Sequence, residues 1–385
     1  MSRLLSKPLA VGCALTVGAA LALAGCQRGS DAASGPTSAA ATAAGACTDV
    51  IASSKAAVDK ASAADAKWDG PTTGPKAASG KTIVYVAQSM QNPGVAGVET
   101  GLKDAAAAIG WTLKTIDGQG TPAGIQNAFN QALTLKPDGI IIGGFDPNST
   151  ADQVKQANAA NIPLVGWQSL ATPGPSDSPK LFSNVTTKVE DVAKISADYV
   201  IAKSNGTAGV VIFTDSSIPF AEGKSQMIQK QLQTCSSVNV LKYSNIPLAD
   251  VASRMPTETS ALLSSLGDKW TYSVAINDVY FENATAAFRQ AGKTNETAPQ
   301  NVGAGDGDAA ALTRIRTGDF QAATVPSPLR SEGWQIVDEL NRAFAGEKAS
   351  GYVPQIHVST KENATADNFW DPVGYQDAYK AIWGK

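Results

Sequence analysis

Polar and aromatic side chains follow several apolar, strand-length runs in this sequence, and their types could do chemistry. Amides and carboxylates offer fixed donors and acceptors to a polyhydroxyl solute, and aromatic faces cover its apolar C–H surface. Ligands of open parallel sheets bind beyond the carboxyl ends of the strands. The residues in such positions are Gln88, Ser89, Asn92, Trp167, Gln168, Phe220, Asn277, Asp306 and Ser327. This pattern predicts a ligand-binding site for a small solute.

Catalysis is disfavoured because no acid–base pair is evident among the motifs and histidine is nearly absent. The chain has a single histidine, His357, on which any triad or multi-histidine metal site would depend. The segment 355–358 is typical of a late strand, where a half-buried histidine is the ordinary interpretation. The glycine-rich run 303–308 lacks the G-x-G-x-x-G spacing, and a tight turn with Asp308 capping the next helix explains it better. We therefore expect no enzyme, no cofactor and no metal.

Length and charge limit the partners. The 385 residues suit two domains of ordinary size, and the net charge is −3. A nucleic-acid surface would need an excess of basic residues, so nucleic acid is not expected as a partner. No G-x-x-x-x-G-K-[ST] motif is present, so the chain itself is not expected to hydrolyse ATP.

The N-terminus has the layout of an export signal. Arg3 and Lys7 precede an uncharged, mostly apolar stretch, Pro8 to Ala24, which ends in Leu23-Ala24-Gly25-Cys26. This ending resembles the lipobox of bacterial lipoproteins, which implies cleavage before Cys26 and attachment of lipid to it. An ordinary signal with a chance cysteine, or an uncleaved anchor, is the alternative. We expect a protein anchored on the outer face of the cell membrane.

Two further cysteines, Cys47 and Cys235, would remain in the exported chain. An even number of cysteines in an oxidising compartment favours a disulfide, which we predict between them; two buried free thiols are the alternative.

The rest of the sequence alternates strand and helix patterns, typical of parallel sheets covered on both faces. The fold class is therefore α/β, with two doubly wound lobes. The expected organisation is a signal peptide (1–25), a flexible tether (26–47), an N-terminal helical extension (48–79), a first lobe (80–184 and 326–355) and a second lobe with the C-terminal helix (185–325 and 356–385).

The motifs resemble those of the type I periplasmic sugar-binding proteins over roughly residues 80–360. They are Ile83 to Pro93, Lys136 to Ile142, Asn161 to Val165, Ala275 to Asp278 and Val302 to Gly307. The resemblance implies two lobes joined by a three-stranded hinge. It also implies a monomeric receptor that delivers a small molecule to the permease of an ABC importer with a separate ATPase. Asn92, Asn277 and Asp306 match family positions that contact the solute.

Departures from the family pattern argue against ribose itself. Gln168-Ser169 stands where ribose binders carry Asp-Arg, and Ala221 and Lys224 are the residues nearest to a second missing arginine. Ser327 replaces a glutamine. Loss of both guanidinium forks predicts an amide-rich, nearly uncharged site with Asp306 as its main acid. Such a site favours a neutral polyol, a different sugar or a less polar small molecule, with a cationic ligand as the alternative that Asp306 leaves open. The alternative function is a sensor that presents the solute to a chemoreceptor or histidine kinase.

Overall fold

The computed structural model describes residues 47–63, 67–364 and 369–385. They form two lobes, each built on a six-stranded, mostly parallel sheet with helices on both faces. This confirms the predicted fold class. The predictions for the signal peptide, the tether up to residue 46 and the lipid site at Cys26 concern residues outside the described ones. Within the described ranges, no helix is long and apolar enough to cross a membrane.

The first lobe follows helix α1 (Thr48–Ala61). Its elements are β1 (Thr82–Ala87), α2 (Pro93–Ile109), β2 (Thr112–Asp117), α3 (Pro122–Thr134), β3 (Gly139–Gly143), α4 (Ala151–Ala159), β4 (Leu164–Trp167), β5 (Gly174–Asp177) and β6 (Lys180–Val185). The strand order is β2-β1-β3-β4-β6-β5, and β5 is antiparallel to β6. A short 3-10 turn, Pro147–Thr150, precedes α4.

The second lobe has the same plan. Its elements are α5 (Val189–Lys203), β7 (Gly209–Thr214), α6 (Pro219–Leu232), β8 (Asn239–Asn245), α7 (Val251–Leu266), β9 (Tyr272–Ala275), α8 (Val279–Gln290), β10 (Gln300–Gly303), α9 (Ala309–Thr317) and β11 (Ala323–Thr324). Helix α10 (Leu329–Ala345), strand β12 (Ser359–Thr360) and helix α11 (Tyr375–Trp383) complete the chain. The strand order is β12-β11-β10-β9-β7-β8, with β12 antiparallel to β11.

Local sequence explains why these elements form where they do. The central strands β1 and β3 are continuous apolar runs, and their side chains are buried because helices cover both faces of the sheet. Helix α2 starts at Pro93, behind the capping side chain of Asn92, and ends at Gly110, whose φ of +85° favours glycine. These caps place the N-terminus of α2 directly after the carboxyl end of β1.

The C-terminal helix packs on the first lobe, whereas the sequence analysis assigned it to the second. Tyr375, Tyr379 and Trp383 of α11 belong to the same buried cluster as α2 and α10, and the indole of Trp383 stacks on that of Trp334 at 5.4 Å. The strand β12, by contrast, pairs with β11 of the second lobe. The chain therefore returns to the first lobe after β12, a step that strand and helix patterns do not reveal.

Helix α1 packs on the second lobe. Cys47 and Val58 are buried in its core, and the Ser54 hydroxyl donates to Asp198 on α5. A disulfide joins Cys47 to Cys235, with Cα atoms 5.1 Å apart. The helix ends at Ala61, whereas the helical extension was predicted over 48–79.

The segments 186–188, 325–328 and 346–358 connect the lobes. His357 lies in the last of them, outside the strand predicted for 355–358, because pairing with β11 begins only at Ser359. Its imidazole is buried and stacks on Trp370 at 4.5 Å. Burial lowers the pKa of His357 to about 4, so the ring is neutral at pH 7, as expected of a structural histidine.

Candidate functional site

The carboxyl ends of the strands of the two lobes meet around Asp306. This residue follows β10, and its carboxylate faces the N-terminus of α2 in the other lobe. A β-carbon placed on Gly94 would lie 2.5 Å from Asp306 Cγ and 2.6–2.7 Å from its carboxylate oxygens. Any other residue at position 94 would require the Asp306 carboxylate or its lobe to shift.

The loop that carries Asp306 has an unusual backbone. Asp306 itself has a φ of +66°, and its neighbours Gly305 and Gly307 have φ values of +145° and +66°. Glycine suits both neighbouring positions because it has no β-carbon to clash. Asp308 ends the loop and accepts hydrogen bonds from the amides of Ala310 and Ala311, which starts α9.

Asp306 is an acid that is removed from water. It is 5% exposed, and the side-chain amide of Asn277 donates to its Oδ2. Burial raises the pKa of Asp306 to about 7, while Lys224 acts in the opposite direction. Asn277 also accepts a hydrogen bond from the Val279 amide at 2.8 Å, which fixes the orientation of its side chain.

Lys224 is a site residue that the sequence analysis discounted. Its ammonium group is buried, donates to the carbonyl of Ile276 at 2.9 Å and to that of Ala304, and lies 5.6 Å from the ring centre of Phe220. Burial lowers its pKa to about 8, against the attraction of Asp306 and Asp278. The site therefore contains charges of both signs, which corrects the expectation of a nearly uncharged one. The i, i+4 spacing of Phe220 and Lys224 was the available signal.

Trp167 and Gln168 form the first-lobe part of the same cluster. The Trp167 indole is 2% exposed and donates through Nε1 to Glu332 Oε2 at 2.7 Å. Gln168 has a φ of +45°, and its Nε2 donates to the Ser327 hydroxyl at 3.0 Å. The Ser327 amide in turn donates to the Asp306 carbonyl at 3.2 Å. These bonds connect the end of β4 with the Asp306 loop.

Of the three candidates after β1, Ser89 and Asn92 have local structural roles. Asn92 Oδ1 accepts from the Gly94 amide at 3.0 Å, and Ser89 Oγ accepts from the Gln91 amide at 3.2 Å. Gln88 and Trp167 both approach the position that a β-carbon on Gly144 would occupy, at 3.8 and 3.5 Å. Gln88 thus lies beside the cluster, while Ser89 and Asn92 shape the turn that leads into α2.

Glu332 was missed by the sequence analysis. It lies on α10, has no exposed surface, and contacts Trp167 across 165 residues of sequence. An acid in the first turn of a helix is ordinary in sequence terms because it complements the helix dipole. No sequence signal therefore distinguished it.

A groove of about 950 Å³ opens elsewhere on the first lobe. It is lined by residues such as Lys81, Asp138, Pro163 and Phe344, three of which precede β1, β3 and β4. It therefore lies at the amino ends of the strands, away from the Asp306 cluster. Among the described residues, no group of three or more His, Cys, Asp and Glu side chains could hold a metal ion.

Comparison with known proteins identifies the family to which this fold belongs. A sequence profile described as "Periplasmic binding protein domain" matches residues 83–348. The chain belongs to this family. This chain is 25% identical over 281 residues to the ribose import binding protein of Escherichia coli (strain K12), covering 71% of this chain and 88% of that protein. The family is extracytoplasmic, and the matched relatives are binding proteins rather than enzymes.

Solved structures share the fold. A galactofuranose binding protein superposes with a TM-score of 0.65 and 16% identity, covering 74% of this chain and 96% of that one. A chain of the XylFII–LytSN complex superposes with a TM-score of 0.61 and 16% identity, covering 74% and 98%. This chain therefore has the fold of the type I periplasmic binding proteins.

Proposed function

We propose that the protein is an extracytoplasmic receptor that binds a small sugar or related polyol between its lobes and delivers it to the permease of an ABC importer. The observation that carries this proposal is the cluster of Asp306, Asn277 and Lys224 at the carboxyl ends of the second-lobe strands, facing Gly94 of the first lobe. Hydroxyl groups can donate to the carboxylate and accept from the amide and ammonium groups.

The charges of the cluster favour a neutral solute. Asp306, in the loop after β10, and Lys224, on α6, are of opposite sign and are both buried in the cluster, so their charges offset each other. A charged solute would bring an unbalanced charge into a desolvated site, which is costly. We therefore retain a neutral sugar or polyol as the ligand class, with Lys224 as an added donor.

Affinity and lobe closure are coupled in this proposal. Solute contacts from Asn277 and Asp306 on one lobe, and from Trp167 and Gln168 on the other, are complete only when the lobes approach. A solute therefore shifts the population towards the closed form. The closed form is the one that we expect to dock on the permease.

Asp306 provides the test. The sugar or polyol that most raises the melting temperature of residues 47–385 serves as the probe, in calorimetric titrations of Asp306→Ala and Asp306→Asn. Loss of a charge-assisted hydrogen bond should weaken binding by at least about tenfold. Asp152→Ala, an exposed acid on α4, is the matched control and should bind as the parent does. Equal affinities of all three variants would contradict the proposal.

Membrane attachment through Cys26 rests on the Leu-Ala-Gly-Cys sequence alone. Cys26→Ser should release the protein from the membrane fraction into the soluble fraction of producing cells. Continued membrane association of the variant would count against a lipid anchor.

A sensing role is the second candidate. It is favoured by the structural likeness to a chain that is solved in complex with another protein, the XylFII–LytSN complex. Uptake of the radiolabelled probe sugar by cells with and without this gene separates the two roles. Loss of uptake supports import, whereas unchanged uptake with an altered transcriptional response to the sugar supports sensing.

A further inference from the structure

We propose that Glu332 is a positioning residue for the ligand site, where it fixes the indole of Trp167 by accepting its N–H hydrogen bond. This inference rests on the proposed function, because it assigns to Glu332 the task of holding a side chain that contacts the solute. Trp167 and Glu332 are far apart in sequence and lie on different elements, β4 and α10.

The geometry of the pair is that of a specific contact. Trp167 Nε1 lies 2.7 Å from Glu332 Oε2, and the two side chains are 2% and 0% exposed. An indole has one polar atom, so this single bond fixes the direction in which the N–H edge of the ring points inside the cluster. Without an acceptor at residue 332, the indole would either leave its N–H unpaired or rotate.

Close helix packing holds Glu332 in place. A β-carbon on Gly333 would lie 2.6 Å from backbone atoms of Gly101 and Leu102, and one on Gly101 would lie 2.3 Å from the Arg330 carbonyl. Helices α2 and α10 therefore touch through their backbones on either side of Glu332. The same helix α2 presents Gly94 to Asp306, so one rigid helix pair positions two parts of the site.

Glu332 is poorly explained as a stabilising residue. Its Oε1 has no hydrogen-bond partner within the described part of the chain. The nearby acids Asp371 and Asp306 add to burial in raising the pKa of Glu332. A buried carboxyl group with an unpaired oxygen is costly compared with an apolar side chain of similar size. What a carboxyl group contributes at this position is therefore the hydrogen bond to Trp167.

The contact also lies beside the hinge. The connection 325–328 runs directly into α10, and Ser327 accepts the hydrogen bond of Gln168. Trp167 and Gln168 are thus held by two groups, Ser327 and Glu332, that flank the start of one helix. The orientation of Gln168 is thus tied to the connection that must bend when the lobes close, and that of Trp167 to the helix that follows it.

A double-mutant cycle on binding tests the proposal. Glu332→Gln keeps an acceptor oxygen and should bind the probe sugar within about twofold of the parent, whereas Glu332→Leu should bind about tenfold more weakly, the loss of one hydrogen bond. Trp167→Phe removes the donor. If the bond is what matters, Glu332→Leu should cause little further loss in the Trp167→Phe background.

An NMR readout is independent of any ligand. The indole N–H resonance of Trp167, assigned by its absence in Trp167→Phe, should shift upfield and exchange faster in Glu332→Leu than in Glu332→Gln. A shifted resonance with no sugar binding in any variant would uphold the contact and refute the receptor function. An unshifted resonance in Glu332→Leu, or fully additive losses of affinity in the cycle, would overturn the positioning role. Should Glu332→Leu fail to fold, Glu332→Met takes its place in both measurements.

Discussion

Replacing Gly94 with alanine should weaken solute binding without destabilising the protein. The new methyl group would stand 2.5–2.7 Å from the carboxylate of Asp306, whereas ordinary contact begins at 3.4 Å, so the buried carboxylate or the lobe that carries it must shift by about 0.7–0.9 Å. Overpacking of this kind costs about 1–3 kcal/mol. Because the lobes are joined by a hinge, the cost should appear as a shift towards more open conformations rather than as unfolding.

This cost corresponds to an affinity loss of about fivefold to 150-fold. The free energy of unfolding of Gly94→Ala should instead rise, because alanine is favoured over glycine in a helix by up to about 1 kcal/mol. Calorimetric titration with the probe sugar and thermal melting of the free protein measure the two effects separately. The matched control is Gly223→Ala on α6, where a β-carbon meets no atom within 4 Å, and which should leave the affinity unchanged. Equal affinities of Gly94→Ala and Gly223→Ala would refute the lobe contact on which the site is built.

Two further predictions concern stability. Burial raises the pKa of Glu332 from 4.5 to about 8, so between these values the folded state holds a proton that the unfolded chain has released, and this group's contribution to stability falls as pH rises. In urea unfolding, the unfolding free energy of Glu332→Gln minus that of the parent should therefore increase by about 1.4 kcal/mol per pH unit between pH 5 and 7.5. A difference that does not change with pH would contradict this assignment. The Cys47–Cys235 bridge spans 188 residues, so the paired serine variant should lose up to about 5 kcal/mol of unfolding free energy by the chain-entropy argument. An unchanged urea midpoint, or two reactive thiols in the unreduced parent protein, would show that the bridge does not form.

The sequence predicted those parts of the fold and site that depend on local pattern. Continuous apolar runs gave the strands, and the rule for open sheets directed attention to the residues after them, which the structure brings together at Asn277, Asp306 and Trp167. Lys224 and Glu332 were not predicted as site residues, because their burial depends on which helix face meets a neighbouring loop. The placement of α11 on the first lobe was not predicted either, because Trp383 could pack on any apolar surface within reach.

The most direct test of the account is where solute binding protects the backbone. Hydrogen–deuterium exchange of residues 47–385, with and without a saturating concentration of the probe sugar, should show protection in the loops around residues 88–94, 167–169, 276–278 and 303–308. Protection on both lobes at once is the result that binding between them predicts. Protection confined to one lobe, or centred on the groove around Lys81 and Asp138, would contradict it.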